Sequence, residues 1–246
     1  MNGIRATLGR ELRAYFLSPL AYIVAALLLT VNGLIFGIII SFLSDPQAGI
    51  GAPLEFFFGQ TIFFWLILLA ATPLLTMRLL SEERNSGTIE TLMTAPVTEG
   101  QVVLGKFLAS FVFYAFLWAP TLSYVGIVAW YHEVDWGPVA SGYLGILGIG
   151  ALFLSIGMLA TALTRSQLVA AVLTFALLIP VWTFGLFESL VTSETAKTLL
   201  GYLDLWQHMD EFSKGIVDTR HLVYYVSATA FFLFLSTRAL AARKWR

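Results

Sequence analysis

The sequence predicts an all-α integral membrane protein, and three observations lead there. Hydrophobic residues make up 58% of the 246-residue chain and charged ones only 12%, with a mean hydropathy of +0.82. A soluble domain is about a quarter charged, so this chain has too little polar surface to coat a water-soluble particle of its size. Six apolar stretches contain no Asp, Glu, Lys or Arg, and each approaches the roughly 20 residues a helix needs to cross about 30 Å of hydrocarbon. Finally, the positive residues segregate to one side of the topology that those stretches define.

The spans are expected at Leu20–Leu43, Phe56–Met77, Phe107–Trp130, Tyr143–Leu163, Leu168–Phe187 and Leu222–Thr237. All six should be α-helical, because a bilayer offers no partner for exposed backbone groups. A transmembrane barrel would need alternating polarity, and these runs are apolar on every side. The last is short unless it continues to Leu240, leaving Arg238 to snorkel at the interface. Ahead of the first span, Leu8, Leu12, Tyr15 and Phe16 alternate with Arg5, Arg10 and Arg13 at roughly helical spacing. That pattern suggests an amphipathic helix on the inner leaflet, or a plain positive leader. The following run of about 24 apolar residues exceeds a signal-peptide core and no small-residue cleavage site follows it, so it reads as a retained span.

With the N-terminus inside, the inner segments hold eleven of the fourteen Lys and Arg: Arg5, Arg10, Arg13, Arg78, Arg84, Lys106, Arg165, Arg238, Arg243, Lys244 and Arg246. Lys197, Lys214 and Arg220 fall outside. Glu11, Glu82, Glu83, Glu90 and Glu99 are inside, and the other ten acids are outside. Both termini are therefore expected in the cytoplasm.

Several functions are excluded by what is missing. Without cysteine there is no disulfide framework, thiolate metal site or cysteine nucleophile. A net charge of −1 gives no basic field for a nucleic-acid partner. The spans hold no ionisable residue of the kind that ion-coupled carriers and proton relays require, which argues against a secondary carrier. No HExxH, Gly-x-Ser-x-Gly or phosphate-binding Gly-x4-Gly-Lys-Ser/Thr occurs; Gly105-Lys106 is followed by Phe107. The chain is thus not expected to be an enzyme or to bind a cofactor. Gly33 and Gly37, and Gly142, Gly145 and Gly148, could admit a close second helix or serve internal packing. Pro73, Pro120 and Pro180 could kink their spans.

The inner loop between spans two and three carries the main signal. The second helix should run out of the membrane through Glu82, Glu83 and Arg84 and break at Asn85-Ser86-Gly87, a turn-forming triplet. Thr88 is a good N-cap for a short helix, Glu90 sits well in its first turn, and Pro96 ends it by restricting Ala95. Thr98 and Gln101 then form a capping box that starts the third span's helix. The short helix would show an apolar face of Ile89, Leu92 and Met93 with no bilayer to cover it. Such a face suits docking on a partner, or the segment is a simple connector.

The run Glu82-x4-Gly87-Thr88-Ile89-Glu90-x-Leu92-x3-Pro96, followed by Gly105-Lys106, resembles the signature of type 2 ABC exporter permeases. The resemblance covers essentially the whole chain as one transmembrane domain, residues 1–246. It implies that this segment is the coupling helix, seated in a groove of a separate cytoplasmic ATPase subunit that binds the ATP and magnesium. Glu82, Glu83 and Arg84 would then anchor it by charge, Ser86 and Gly87 permit the turn, Thr88 and Glu90 open the helix, Ile89 and Leu92 fill the groove, and Pro96 close it. A second permease copy or paralogue, membrane lipid and an outer-facing accessory protein are the other partners implied, in a bacterial inner membrane. A second stretch, Tyr202-Leu203, His208, Phe212, Gly215-Ile216-Val217-Asp218-Thr219-Arg220 and Tyr224-Tyr225, is similar to the gliding-motility (GldF-like) subfamily. That similarity admits an alternative: a non-transporting subunit relaying ATPase-driven mechanical work to an outer partner.

The outer loop Glu188–His221 is the longest. Glu194 to Lys197, Leu199, Leu200 and Leu203, then Leu205, Trp206, Met209 and Phe212, read as two amphipathic stretches that either shield the helix ends or, as the family resemblance implies, roof a pathway. Trp130, Trp136, Tyr143 and Trp206 are expected in an interfacial aromatic belt. His208 with Asp204, Asp210 and Glu211 matches no metal-ligand spacing.

Overall fold

The computed structural model describes residues 2–44, 53–85, 98–185, 193, 197 and 200–242, and all regular elements among them are helical. In chain order these are α1 (Asn2–Leu17), α2 (Pro19–Leu43), α3 (Pro53–Glu55) running into a π-turn (Phe56–Gln60), α4 (Ile62–Thr76), α5 (Ser81–Asn85) and α6 (Glu99–Trp118). A 3-10 turn (Ala119–Thr121) leads to α7 (Leu122–Tyr131), followed by α8 (Trp136–Leu163), α9 (Gln167–Thr183), α10 (Leu205–Ser213) and α11 (Thr219–Ala241).

Five stretches are long and apolar enough to cross a membrane: Ala21–Leu43, Ile62–Glu83, Glu99–Tyr131, Trp136–Leu163 and Thr219–Ala241. The remaining expected span, Leu168–Phe187, corresponds to α9, a 17-residue apolar helix; its expected last two residues lie outside the described ones. Aspartates start three of the helices. Asp135, Asp204 and Asp218 each accept from the backbone N–H two residues on, at 2.9, 2.9 and 2.7 Å, and so cap α8, α10 and α11.

The second expected span, Phe56–Met77, is not continuous. The chain leaves helical geometry at Phe58 and Gly59, where Gly59 has φ +111°, and the long helix begins only at Ile62. A Cβ on Gly59 would lie 2.3 Å from the Met209 side chain, so a positive φ and a close neighbour both demand glycine there. The freed carbonyl of Gly59 is not orphaned: the buried Trp65 indole donates to it at 3.1 Å. Of the three span prolines, Pro120 falls in the 3-10 turn between α6 and α7, whereas Pro73 and Pro180 stay inside α4 and α9.

Helix α8 is the axis of the bundle; α4, α6, α9, α10 and α11 all lie against it. Its glycines serve internal packing. A Cβ on Gly142 would meet the Phe58 ring at 2.7 Å, one on Gly145 the Phe212 ring at 2.8 Å and one on Gly148 the Tyr225 ring at 2.9 Å. Gly150 is tighter still, with Tyr114 at 2.1 Å, and that ring is tethered by its hydroxyl donating to the Ile146 carbonyl at 3.0 Å. The stripe thus accepts one aromatic ring after another from four different segments.

The outer surfaces of α2, α9 and α11 are apolar, with Ile23, Leu27, Leu34, Ile38, Phe42, Val172, Val223, Val226 and Phe231 exposed. That is the surface a lipid-facing helix carries. Gly37 on α2 faces open space. In the expected aromatic belt, Trp130 and Trp136 are exposed. Tyr143 instead hydrogen-bonds Thr121 at 2.8 Å, and Trp206 packs between Trp65 and Trp182.

Gly150→Ala should therefore force Tyr114 to shift and cost about 1–3 kcal/mol of stability, as overpacked cores do. Gly37→Ala should leave stability unchanged or slightly raised, since alanine is the better helix former. Thermal unfolding of the two variants in detergent would check this pair.

Candidate functional site

Helix α5 carries Glu82 and Glu83 and ends at Asn85, the last described residue before the loop. Of the expected coupling residues, Ser86, Gly87, Thr88, Ile89, Glu90, Leu92 and Pro96 lie outside the described residues. On the far side of the loop the capping box forms as the sequence suggests. Thr98 Oγ1 accepts from Gln101 N at 3.3 Å, and Gln101 Oε1 accepts from Thr98 N at 3.2 Å.

What holds the two edges of that loop together is Lys106, on the second turn of α6. Its side chain is 1% exposed, and its ammonium donates to Glu11 Oε1 at 2.9 Å and lies 3.0 Å from Glu83 Oε1. The Arg10 guanidinium contacts the same two carboxylates, at 2.9 and 2.7 Å. Two cations and two anions thus alternate around one ring joining α1, α5 and α6. A buried ammonium without counter-charges would be prohibitive; here each carboxylate meets both cations.

The rest of α1 is shaped to deliver Arg10 and Glu11 to this point. Gly105 lets α1 close on α6: a Cβ there would come within 2.8 Å of Thr7 Cβ and 3.2 Å of the Ile4 carbonyl. One turn further, Tyr15 stacks on Phe113 with ring centroids 4.9 Å apart, and Phe16 meets Phe113 and Phe116 edge-on. The Tyr15 hydroxyl donates to the Leu75 carbonyl at 2.7 Å, tying α1 to the end of α4. The apolar face of α1 read from Tyr15 and Phe16 is therefore spent on α6 rather than left for a bilayer. The sequence pointed to Glu83 but missed Lys106, which it shares with Glu11, as its partner. The available signal was Gly105-Lys106, a small residue and a cation side by side at the start of an apolar helix.

At the opposite end of the bundle, α10 is pressed into the gap made by the Gly59 break and the α8 glycines. Leu205, His208, Met209, Phe212 and Ser213 are buried, and Ser141 donates to the Phe212 carbonyl at 2.5 Å. The His208 and His221 rings are 3.9 Å apart. His208 Nδ1 is 3.2 Å from the Tyr225 hydroxyl, while His221 Nε2 is 2.7 Å from Glu211 Oε2. Burial, reinforced by His221, drives His208 down to about 4; Glu211 and Asp218 oppose that only in part. The hydrogen bond from His221 draws Glu211 below its ordinary value. Asp204 is used as a cap and Asp210 pairs with Lys214 at 2.5 Å. Among the described residues no group of His, Asp and Glu could hold a metal ion. Of the first amphipathic stretch of the outer loop, residues 194–196, 198 and 199 lie outside the described residues.

Residues 25–236 match the family model described as ABC-2 family transporter protein. No curated protein matches the chain.

Two outcomes are expected from this geometry. Lys106→Ala should cost on the order of 1–3 kcal/mol, the penalty for removing one partner from buried acceptors that still meet Arg10, and detach α1 before the bundle unfolds; limited proteolysis within α1 reads this. For His208, whose folded value lies below its ordinary one, stability should be full above about pH 6.5 and fall as the pH drops toward 4. Glu211, also lowered, acts in the same direction below its ordinary range. His208→Gln should flatten the pH dependence of thermal unfolding over that window.

Proposed function

The chain belongs to the ABC-2 family of transporter proteins, and from that premise we propose that it is the membrane permease subunit of an ATP-binding cassette exporter. In this reading ATP and magnesium are bound by a separate cytoplasmic ATPase subunit, and Thr88–Thr94 is the coupling segment that docks on it. The observation that supports this most is the ion ring of Arg10, Glu11, Glu83 and Lys106. A connector that did no more than join two spans would need no buried lysine at its root. A segment that must pass force into the bundle needs its root held to more than one helix.

The same reading places α9 as a sixth span. Seventeen residues rise about 26 Å, a little under the hydrocarbon thickness of about 30 Å, and the chain continues helically through Phe184 and Gly185. With six spans and the N-terminus inside, the ion ring lies at the cytoplasmic face and α10 at the outer face. The partners are then two ATPase subunits and a second permease copy or paralogue, in a bacterial inner membrane. The pattern from Tyr202 through Tyr225 supports placement in the gliding-motility subfamily.

Two experiments test this. The chain contains no cysteine, so single cysteines at the exposed Ser166 and Lys214, which flank α9, should be labelled by an impermeant maleimide from opposite sides of the membrane. Labelling from the same side would contradict six spans. Co-expression with a cytoplasmic ABC ATPase of the same organism should give a stable 2:2 complex whose hydrolysis collapses on Gly87→Val or Glu82→Lys, with membrane insertion intact. A chain that is folded and monodisperse alone, and binds no ATPase, would overturn the assignment.

A further inference from the structure

Three helices that turn apolar surface outward are each joined, at one end, to an arginine that the fold does not use. On α11 the exposed Val223, Val226, Phe231 and Phe234 share one face, and Arg238 follows them with its guanidinium 5.0 Å from the centre of the Phe234 ring. On α9 the exposed Leu168, Val172, Phe175 and Ile179 form one stripe, and Arg165 stands just ahead of it. On α1, Arg13 lies one turn before Leu17, which is 80% exposed. The chain then turns at the extended Ser18 into α2, where Tyr22, Ile23 and Leu27 are exposed. Arg13, Arg165 and Arg238 are all exposed, and none makes an ion pair or hydrogen bond with a described residue.

These arginines belong to the end of the bundle that carries the ion ring. Helix α1 packs along α6, and Thr237 is the nearest neighbour of Gly100 in the first turn of α6. Thr76, at the close of α4, fits over Gly157 near the end of α8, just before the chain turns into α9. The described acids of this end are committed. Glu11 and Glu83 hold Arg10 and Lys106, and Glu82 and Glu99 are engaged as well. What remains is unmatched positive charge at the foot of three apolar stripes. An arginine placed there lays its stem along apolar surface, keeps its head at the water edge, and presents a fork that fits phosphate oxygens.

We propose that Arg13, Arg165 and Arg238 bind the phosphates of anionic phospholipids, whose acyl chains run along the apolar stripes beside them. The charge left over on the protein is cationic, so a headgroup with net negative charge pairs with it fully. A zwitterionic headgroup such as phosphatidylcholine brings its own cation beside the guanidinium, which weakens the pairing. An acidic protein surface would match the arginines but would also have to cover apolar helix faces on three sides; a lipid meets both demands with one molecule. The inference does not rest on the permease assignment, only on these stripes facing lipid.

The test is native mass spectrometry of the purified chain titrated with phosphatidylglycerol and with phosphatidylcholine of the same acyl chains. Phosphatidylglycerol should bind about fivefold or more tighter, the gain expected of one basic residue at an anionic lipid surface. Soluble glycerophosphoglycerol, which has no tail for the stripes, should bind far more weakly than either lipid. The triple variant Arg13→Gln, Arg165→Gln, Arg238→Gln should lose the preference while remaining monodisperse, and lysine at the same three positions should keep most of it. Arg220→Gln, at the opposite end of α11 where Asp218 lies 3.9 Å from the guanidinium, should keep it in full. Equal binding of the two lipids by the native chain would overturn the proposal. So would a preference that survives the triple glutamine variant, or one that disappears in Arg220→Gln. A triple variant that keeps its lipid preference but loses the proposed ATPase would assign the arginines to a protein surface instead. One that loses the preference and keeps the ATPase supports the lipid site and leaves the permease assignment intact.

Discussion

An ammonium group with almost no access to water has to be matched by carboxylates, and in this chain the match decides where three helices go. Lys106 sits near the start of α6, eight residues past its cap at Thr98, so the helix enters the bundle with a cation already inside. Glu11 can reach it only if α1 folds back along α6, and Glu83 only if α4 continues through its turn into α5. Gly105 removes the side chain that would hold α1 off, and Tyr15 and Phe16 fix its rotation by stacking on Phe113 and Phe116. Arg10 then balances the charge. An ion ring of this kind adds little net stability over an apolar equivalent, but it fixes which helices meet, because the Lys106 ammonium has almost no water to replace its carboxylates.

The two ends of the molecule are built on different principles. At the Lys106 end, charge pairs tie together helices that would otherwise splay. At the α10 end, size complementarity does so: rings from Phe58, Phe212 and Tyr225 drop into successive glycine notches on α8, and Met209 fills the space over Gly59. The first arrangement tolerates small displacements as long as the charges travel together. The second does not, since close-packed rings have no second arrangement of similar energy. The bundle thus has a close-packed plug at one end and a charge-tied root at the other.

Much of this architecture can be read from residue types. Charge-free runs mark the long apolar helices and the Thr98–Gln101 box starts α6, whereas the caps at Asp135 and Asp218 begin α8 and α11 ahead of the expected Tyr143 and Leu222. The break at Phe58-Gly59 cannot be read that way. The run Phe56 to Trp65 carries no charge and only the short Gly59-Gln60-Thr61 interruption, and the segment that packs into its break is α10, some 150 residues later in sequence. The ion ring is hidden for the same reason. Glu11 and Lys106 are 95 residues apart, and no local periodicity pairs them. Tyr143 and Trp206 read as interfacial aromatics by composition but are held inward by Thr121, Trp65 and Trp182, because amphipathic rings serve a polar contact in the core as readily as a headgroup.

The central claim is that α1 and the root of the 86–97 segment move as one body because Lys106 joins them. The most direct measurement places spin labels at Arg5 and Asn85, both exposed, in the chain reconstituted with the ABC ATPase proposed as its partner, and reads the distance between them with and without ATP. The account expects one narrow distance that ATP leaves unchanged in the native chain and that broadens in Lys106→Met. A distance that shifts with ATP in the native chain, or one that stays narrow without the lysine, would contradict it.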